Sequence, residues 1–276
     1  MKKFILTLAT IFSLGFKAQA AGEVKTTELN GFKLHTYYSN DVMVDASYIV
    51  EGKDGLVTLE SPLFKDGASE FDAYIKKLNK PVVARIADYH IGATGKNDVI
   101  VAKGMSKEID EGAYSKMIDG FKKNFGDAMI LPAGKKIEQD FDKNITLAGV
   151  TFRFEHGPST DFPAASIIIG GQVYLTHWVP AKAHMNALQI SSPAVFDAEI
   201  AESKEALNSG CKVFAGSHGG CATADDMKFK LHYLETLKKA YETNKTADSF
   251  VAAVKKAFPG LAGEDGLSAI ATNLYK

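Results

Sequence analysis

The alternation of apolar and polar residues near the start of the chain predicts two β-hairpins. Residues 28–38 alternate around the pair Asn30-Gly31, which favours a tight turn. Two apolar runs, SYIVEG and GLVTLE, flank a second turn at residues 53–55. Strands joined by such short turns pair antiparallel, so the pattern predicts an antiparallel ladder.

The pattern then becomes helical over residues 69–79, which end before Pro81. The strand VVARIA follows and leads into a loop at residues 88–90, and the strand VIVA precedes a helical stretch over residues 106–125. The apolar positions that define the first helix recur at i, i+3, i+4 and i+7, and they are Phe71, Tyr74, Ile75 and Leu78.

From Ile137 onward the strand pattern returns, with the segments KIEQDF, ITLAGVTFRFEHG and AASIIIGGQVYLTHW. Strands followed by helices, twice over, predict an α/β protein with two mixed sheets stacked between helices, a four-layer αββα sandwich in one domain over residues 21–276. The last predicted segments are a helix over 194–207, the strand KVFAG, the loop SHGGC, a helix over 224–243 and a helical tail over 246–276 that is broken at Pro259-Gly260.

Charge and composition exclude some partners. With 32 basic and 33 acidic residues among 276, the net charge is −1, and the basic residues are scattered along the chain. This gives no support for binding nucleic acid or an anionic membrane. A small-molecule ligand or substrate is the expected partner.

The first twenty residues have the pattern of a secretory signal peptide. Lys2 and Lys3 precede an apolar run that ends at Phe16, and the chain then carries a small-x-small cleavage signal at residues 18–20. We expect cleavage after Ala20 and a mature protein that is periplasmic or secreted. No later segment has the roughly 20 apolar residues of a membrane helix.

The two cysteines, Cys211 and Cys221, leave two interpretations open. In an oxidising compartment a pair of cysteines often forms a disulfide. The strand KVFAG between them separates them, however, so a bridge requires the chain to turn straight back after Gly216.

The order of these segments resembles the metallo-β-lactamase superfamily over residues 29–241. The resemblance is carried by SYIVEGKDGLVTLE, a helix, a strand, a loop with a histidine, GVTFRFEHGPSTDFPAASIIIGGQVYLTHWV and VFAGSHGG. Members of that superfamily hold one or two zinc ions with an HxHxDH motif, a later His, an Asp or Cys, and a final His in a GHG loop. The resemblance implies the superfamily's sandwich fold and a hydrolase-like protein.

In the segment ADYHIGATGKN, the resemblance aligns Asp88 with the first histidine of HxHxDH and His90 with the second. Gly92 and Ala93 align with the Asp and the third histidine, so two of these four ligands are absent. Glu60 aligns with a supporting Asp of the superfamily. A standard dinuclear centre is therefore excluded.

The remaining positions are also altered. The later His aligns with Ser159, near which lie His156 and Asp161, and the Asp or Cys position aligns with Trp178, next to His177. Of these three later positions, only the final His is in register. It is His218 in GSHGG.

A hydrolytic zinc needs about three protein ligands and one open position. The pocket candidates are Asp88, His90, His156, Ser159, Asp161, His177, Trp178 and His218. The metal candidates among these residues are Asp88, His90, His177 and His218, with Cys221 as a further donor, and they are expected to hold at most one zinc or other divalent ion.

Each candidate also has a structural explanation. His90 and His218 fit hydrogen-bonded remnants of a lost site, and Asp88 fits a cap on the segment after it. His177 and Trp178 fit a plug that fills the metal's volume. The two functional hypotheses are an exported, hydrolase-like enzyme with a rebuilt mononuclear site and a metal-free periplasmic protein that binds a small molecule or partner in the remodelled pocket.

Overall fold

The computed structural model describes residues 21–41, 43–90, 97–131, 133–157, 163–180 and 182–276. The predicted signal peptide lies outside these ranges. So do two of the pocket candidates, Ser159 and Asp161.

The first sheet has seven strands in the order in which they occur along the chain. Its first four strands pair antiparallel with one another. The fifth, sixth and seventh strands each pair parallel with the strand before them. Both predicted hairpins are therefore present. The strands are β1 (Glu23–Leu29), β2 (Phe32–Tyr38), β3 (Ala46–Glu51), β4 (Leu56–Leu59), β5 (Val82–Ile86), β6 (Val99–Ala102) and β7 (Lys136–Gln139).

The second sheet has six strands, and it repeats this mixture of pairings. Its first four strands are antiparallel, the fifth pairs parallel with the fourth, and the sixth turns back on the fifth. The strands are β8 (Asn144–Leu147), β9 (Val150–His156), β10 (Ala165–Ile169), β11 (Val173–Trp178), β12 (Val213–His218) and β13 (Gly220–Ala222).

The helices agree with the predicted ones except at their ends and at one break. The predicted stretch over residues 106–125 is two helices, because the chain leaves the helical conformation at Glu111 and Gly112. Among the described residues, no helix is long and apolar enough to cross a membrane. The helices are α1 (Lys65–Lys77), α2 (Met105–Asp110), α3 (Ala113–Phe125), α4 (Ala194–Asn208), α5 (Ala224–Thr243), α6 (Ala247–Ala257) and α7 (Leu267–Leu274).

The predicted four layers are present. The inner faces of the two sheets share one apolar core, in which Leu34 and Val50 of the first sheet join Phe152 and Ile167 of the second. Helix α1 covers the outer face of the first sheet through Phe71. Helices α4 and α5 cover the outer face of the second sheet. The fold is thus an α/β sandwich with mixed sheets.

The segment SHGGC differs from the sequence prediction of a loop. Strand β12 continues to His218, and β13 begins two residues later and pairs antiparallel with it. Gly219 and Gly220 make this reversal possible, because their φ angles of +89° and +76° lie in the left-handed region that glycine tolerates.

This reversal also separates the two cysteines, which are free thiols. Cys221 pairs in register with Ala215, which comes four residues after Cys211, and Cys211 itself precedes β12. Four residues of extended chain span about 13 Å, whereas a bridge needs Cα atoms within about 7 Å. The chain does turn back, but it does so too late to bring the cysteines together.

Candidate metal site

Three histidines from separate strand ends meet at one edge of the sandwich. His90 follows β5 of the first sheet, whereas His177 and His218 lie in the last two residues of β11 and β12 of the second sheet. Strands β11 and β12 are parallel neighbours, so their carboxyl ends reach the same edge. The sheets bring together imidazoles that are far apart in the chain.

The ring nitrogens of these histidines point at one another. One nitrogen from each of His90, His177 and His218 lies within 4.8 Å of the other two, a group that could hold a metal ion. The Nε2 atoms of His90 and His218 are 2.9 Å apart. The His90 side chain is 15% exposed and that of His218 is 8% exposed.

Glu60 holds the loop that carries His90. Its Oε1 accepts the backbone N–H of Asp88 at 2.6 Å, and its Oε2 accepts that of His90 at 2.7 Å. The carboxylate is 1% exposed, and burial raises its pKa, while the two backbone hydrogen bonds act in the opposite direction. This supporting role is the one that the family resemblance implies for Glu60.

A short segment before β3 holds His218. The Nδ1 atom of His218 lies 2.9 Å from the carbonyl oxygen of Met43 and 3.1 Å from Oδ1 of Asp45. Both oxygens are acceptors, so this nitrogen carries the imidazole hydrogen. The Nε2 atom of a neutral His218 therefore carries no hydrogen, and its lone pair faces His90.

Burial keeps two of the three imidazoles neutral. It lowers the pKa of His90 to about 4, against a smaller opposing effect of the Asp45 charge. Burial also lowers the pKa of His177 well below its ordinary value, and His218 and His90 add to this effect. Neutral imidazole is the form that binds a metal ion.

The donor atoms fit one divalent cation. Tetrahedral ligands at about 2.0–2.1 Å from zinc lie about 3.3 Å from one another, a spacing between the observed 2.9 Å and 4.8 Å. No described residue hydrogen-bonds the buried Nδ1 of His90, which has carboxylate oxygens of Asp45 and Glu60 at 3.8 Å and 4.0 Å. Those oxygens favour a hydrogen on Nδ1. With Nδ1 protonated, the two Nε2 lone pairs face each other, an arrangement that a shared cation stabilises.

Aromatic rings flank the three histidines. His177 stacks on Tyr89 with ring centroids 4.1 Å apart, and Trp178 stacks on His218 at 4.0 Å. The Lys230 ammonium group donates to the carbonyl oxygen of Trp178 at 2.8 Å and so fixes the end of β11. The sequence allowed His177 and Trp178 to act together as a plug. In the structure the His177 ring belongs to the nitrogen group, and Trp178 packs beside it.

Two predicted metal candidates lie outside this group. Asp88 is fully buried, and its Oδ2 accepts the backbone N–H of Ala165 at 2.7 Å, which ties the loop to the start of β10. Burial raises the pKa of Asp88 well above its ordinary value, and the charge of Glu60 adds to the shift. Cys221 is directed at Thr36, with Sγ 3.2 Å from its hydroxyl.

The remaining pocket candidates do not join the group among the described residues. His156 is exposed at the end of β9 and stacks on Phe141, with centroids 3.9 Å apart. Ser159 and Asp161 lie outside the described residues. Sequence reasoning missed Met43 and Asp45, because the segment DVMVDAS that contains them matches no metal-site motif.

Several known structures with a similar fold are described as metallo-β-lactamase family or superfamily proteins. The chain is similar to a metallo-β-lactamase family protein from Thermus thermophilus, with 14% identity, 89% of this chain and 91% of that chain covered, and a TM-score of 0.61. It is also similar to a metallo-β-lactamase superfamily protein from Sulfolobus tokodaii, with 16% identity, coverage of 85% and 97%, and a TM-score of 0.53.

A third similar structure is a stereoselective inverting sec-alkylsulfatase from a Pseudomonas species, with 14% identity, coverage of 91% and 50%, and a TM-score of 0.58. The chain spans about half the length of the sec-alkylsulfatase chains it matches. No protein-family model and no curated protein matches the sequence. The chain therefore has the metallo-β-lactamase fold, and these comparisons show the fold alone.

Proposed function

We propose that this protein is a metal-dependent hydrolase whose active centre holds one divalent metal ion, with zinc as the first candidate. The observation that carries the proposal is the convergence of ring nitrogens from His90, His177 and His218 within 4.8 Å at the edge of the two sheets. Three neutral imidazoles are the protein ligands of a known type of catalytic zinc site, which leaves a fourth position open.

A bound divalent cation would lower the pKa of a coordinated water towards 7 and polarise a carbonyl or similar oxygen of the substrate, which makes the atom bonded to that oxygen more electrophilic. The protein's own part is to hold the ligands. Glu60 fixes the backbone of His90, and Met43 accepts the Nδ1 hydrogen of His218. Tyr89 supports the face of the His177 ring. We propose a mononuclear centre, since Gly92 and Ala93 provide no side-chain donor for a second ion.

The first test is the metal content of the purified protein after expression with added zinc, iron and manganese. We expect about one equivalent of metal in the native chain and a loss of most of it in His90→Ala, His177→Ala and His218→Ala. His156→Ala is the matched control, because this exposed histidine stacks on Phe141 and lies outside the group. Metal should also raise the melting temperature of the native protein and of this control.

Hydrolysis is tested on a panel that contains a β-lactam, a secondary alkyl sulfate and simple carboxylic esters. The first two substrates are chosen from the names of the similar structures. We expect turnover that a chelator removes and that zinc restores, and no turnover in His177→Ala. Absence of stoichiometric metal, with unchanged melting temperatures in the three histidine variants, would overturn the proposal.

A second candidate function is a metal-free protein that binds a small molecule. An open groove directly after Trp178 favours it, lined by Val179, His184 and Tyr233. The buried Nε2 of His184 has no hydrogen-bond partner among the described residues. Two results together would favour this function. A metabolite would raise the melting temperature of native protein but not that of His184→Ala, and added metal would leave the melting temperature of native protein unchanged.

We also propose that the protein is exported, on the evidence of residues 1–20 alone. Fractionation of the producing cells and N-terminal sequencing test this proposal. A mature chain that begins at Ala21 in the periplasm or the medium is the expected result. A cytoplasmic chain that retains Met1 would contradict it.

A further inference from the structure

Asp45 lies directly behind the proposed metal ligands, although neither the sequence motifs nor the family resemblance points to it. It is 5% exposed and immediately precedes β3, where it forms an antiparallel bridge with His218. Its Oδ1 lies 3.1 Å from Nδ1 of His218 and 3.8 Å from Nδ1 of His90. One buried carboxylate oxygen thus faces the rear nitrogens of two imidazoles.

The local backbone is arranged to keep Asp45 in this position. Its carbonyl accepts both the backbone N–H and the hydroxyl of Ser39, and its N–H donates to Oδ1 of Asp41. Val44, the preceding residue, has a φ of +57°, an unfavourable conformation for a β-branched side chain, and it is 65% exposed. Such strain persists only where surrounding contacts hold the backbone in place. Here the strained backbone at Val44 places the carbonyl of Met43 and the carboxylate of Asp45 next to His218.

We propose that Asp45 is a positioning residue for the metal site, which keeps the hydrogen of His218 and that of His90 on Nδ1 and leaves both Nε2 lone pairs available to one cation. This inference rests on the proposed function. A carboxylate behind a ligating imidazole fixes its tautomer and orientation and makes it a better ligand. The competing state is a direct Nε2–H···Nε2 hydrogen bond between the two rings, which lie at the right distance of 2.9 Å for it. In that state one lone pair is consumed and the site is closed to metal.

The test compares native protein with Asp45→Asn, which keeps the side-chain shape and removes the charge. We expect Zn²⁺ affinity, measured by competition with a chromophoric chelator, to fall 10- to 100-fold. Asp140→Asn is the control, since it removes the same charge from an exposed carboxylate that pairs with Lys103 and Lys143 at the surface. Its affinity should stay within threefold of the native value.

A second measurement reads the tautomers of the metal-free protein from ¹⁵N chemical shifts of the histidine rings. We expect the Nδ1–H form for His218 in the native chain, and a larger share of the Nε2–H form of this ring in Asp45→Asn. A merely structural carboxylate would lower the melting temperature of the variant without changing the tautomers or the affinity at a temperature where the variant is folded.

The outcomes separate the two proposals. If native protein binds zinc and Asp45→Asn binds it within threefold as tightly, the role of Asp45 is overturned and the metal site stands. If native protein binds no zinc, the proposed function fails, and the tautomers alone decide the role of Asp45. A native His218 with its hydrogen on Nε2 overturns that role even if the variant does not fold.

Discussion

The carboxylate of Glu60 accepts the backbone N–H of His90 at 2.7 Å, and with its other oxygen it accepts that of Asp88. Glu60 directly follows β4 of the first sheet, and its φ of +53° bends the chain at the end of that strand. One buried side chain thereby joins the strand to the loop that carries a proposed metal ligand.

Glu60→Gln is expected to destabilise the protein by about 1–3 kcal/mol, because the amide has only one oxygen for two buried N–H groups. Urea unfolding measures the free energy, and chelator competition should show weaker zinc binding in parallel. Glu28→Gln is the control. Its ion pair with Lys33 is exposed to solvent, so this variant should unfold at nearly the same urea concentration as native protein. Equal stability of Glu60→Gln and native protein would contradict the supporting role.

Trp178 is the single tryptophan of the chain, and it stacks on His218 with ring centroids 4.0 Å apart. Its fluorescence therefore reports on the site. Co²⁺ is paramagnetic and should quench the emission when His218 binds it, with saturation at one equivalent. His177→Ala keeps the tryptophan and loses a ligand, so it should show little quenching at the same concentration. Quenching of equal strength in both proteins would place the metal elsewhere.

Glu202 lies in the buried layer behind the second sheet, where the hydroxyl of Ser166 donates to it. Burial raises its pKa from 4.5 to about 7. Between these values the folded state holds a proton that the unfolded state releases, so the stabilisation is complete below pH 4.5 and is lost as pH rises through 7. Glu202→Gln copies the neutral form and should be more stable than native protein at pH 8, by about 1–3 kcal/mol.

The matched control for Glu202 is Glu199→Gln. Glu199 pairs with the buried Lys230 at 2.7 Å, so its loss should destabilise the protein by about 3 kcal/mol at every pH near neutrality. The titration of His90, whose pKa is about 4 in the folded protein, makes native protein and both variants less stable as pH falls from 6.5. The difference between each variant and native protein is therefore compared across pH 4.5–8. A Glu202→Gln difference that does not change with pH would contradict the shifted pKa.

Gly216 lies within β12, two residues before His218. A Cβ atom there would be 2.4 Å from the carbonyl oxygen of His218 and 2.8 Å from the backbone nitrogen of Val179. Because these are backbone atoms, Gly216→Ala should cost about 3 kcal/mol and weaken metal binding. Gly120→Ala in helix α3 has no atom within 4 Å of the new Cβ and should stabilise the protein by up to about 1 kcal/mol. Thermal melts of the two variants should therefore shift in opposite directions.

Much of the fold was predictable because its signals are local. The turns at Asn30-Gly31 and residues 53–55, the apolar face of α1 and the bounds of α5 follow from residues that are neighbours in the chain. The order of strands and helices then limits the stacking to a few architectures. The antiparallel return of β13 was not predictable in the same way, because its pairing with β12 depends on positive φ angles at two adjacent glycines.

The order of strands and helices along the chain is enough to predict the four-layer fold and to place His90, His177 and His218 near one sheet edge, because strand order sets which chain ends meet. It does not predict which side chains face one another. In the folded protein Asp88 contacts the backbone of Ala165, His156 stacks on Phe141, and Asp45 lies behind His218. The contacts of Asp88 and Asp45 cross between the two sheets, where side-chain direction and packing, rather than spacing along the chain, determine which atoms touch.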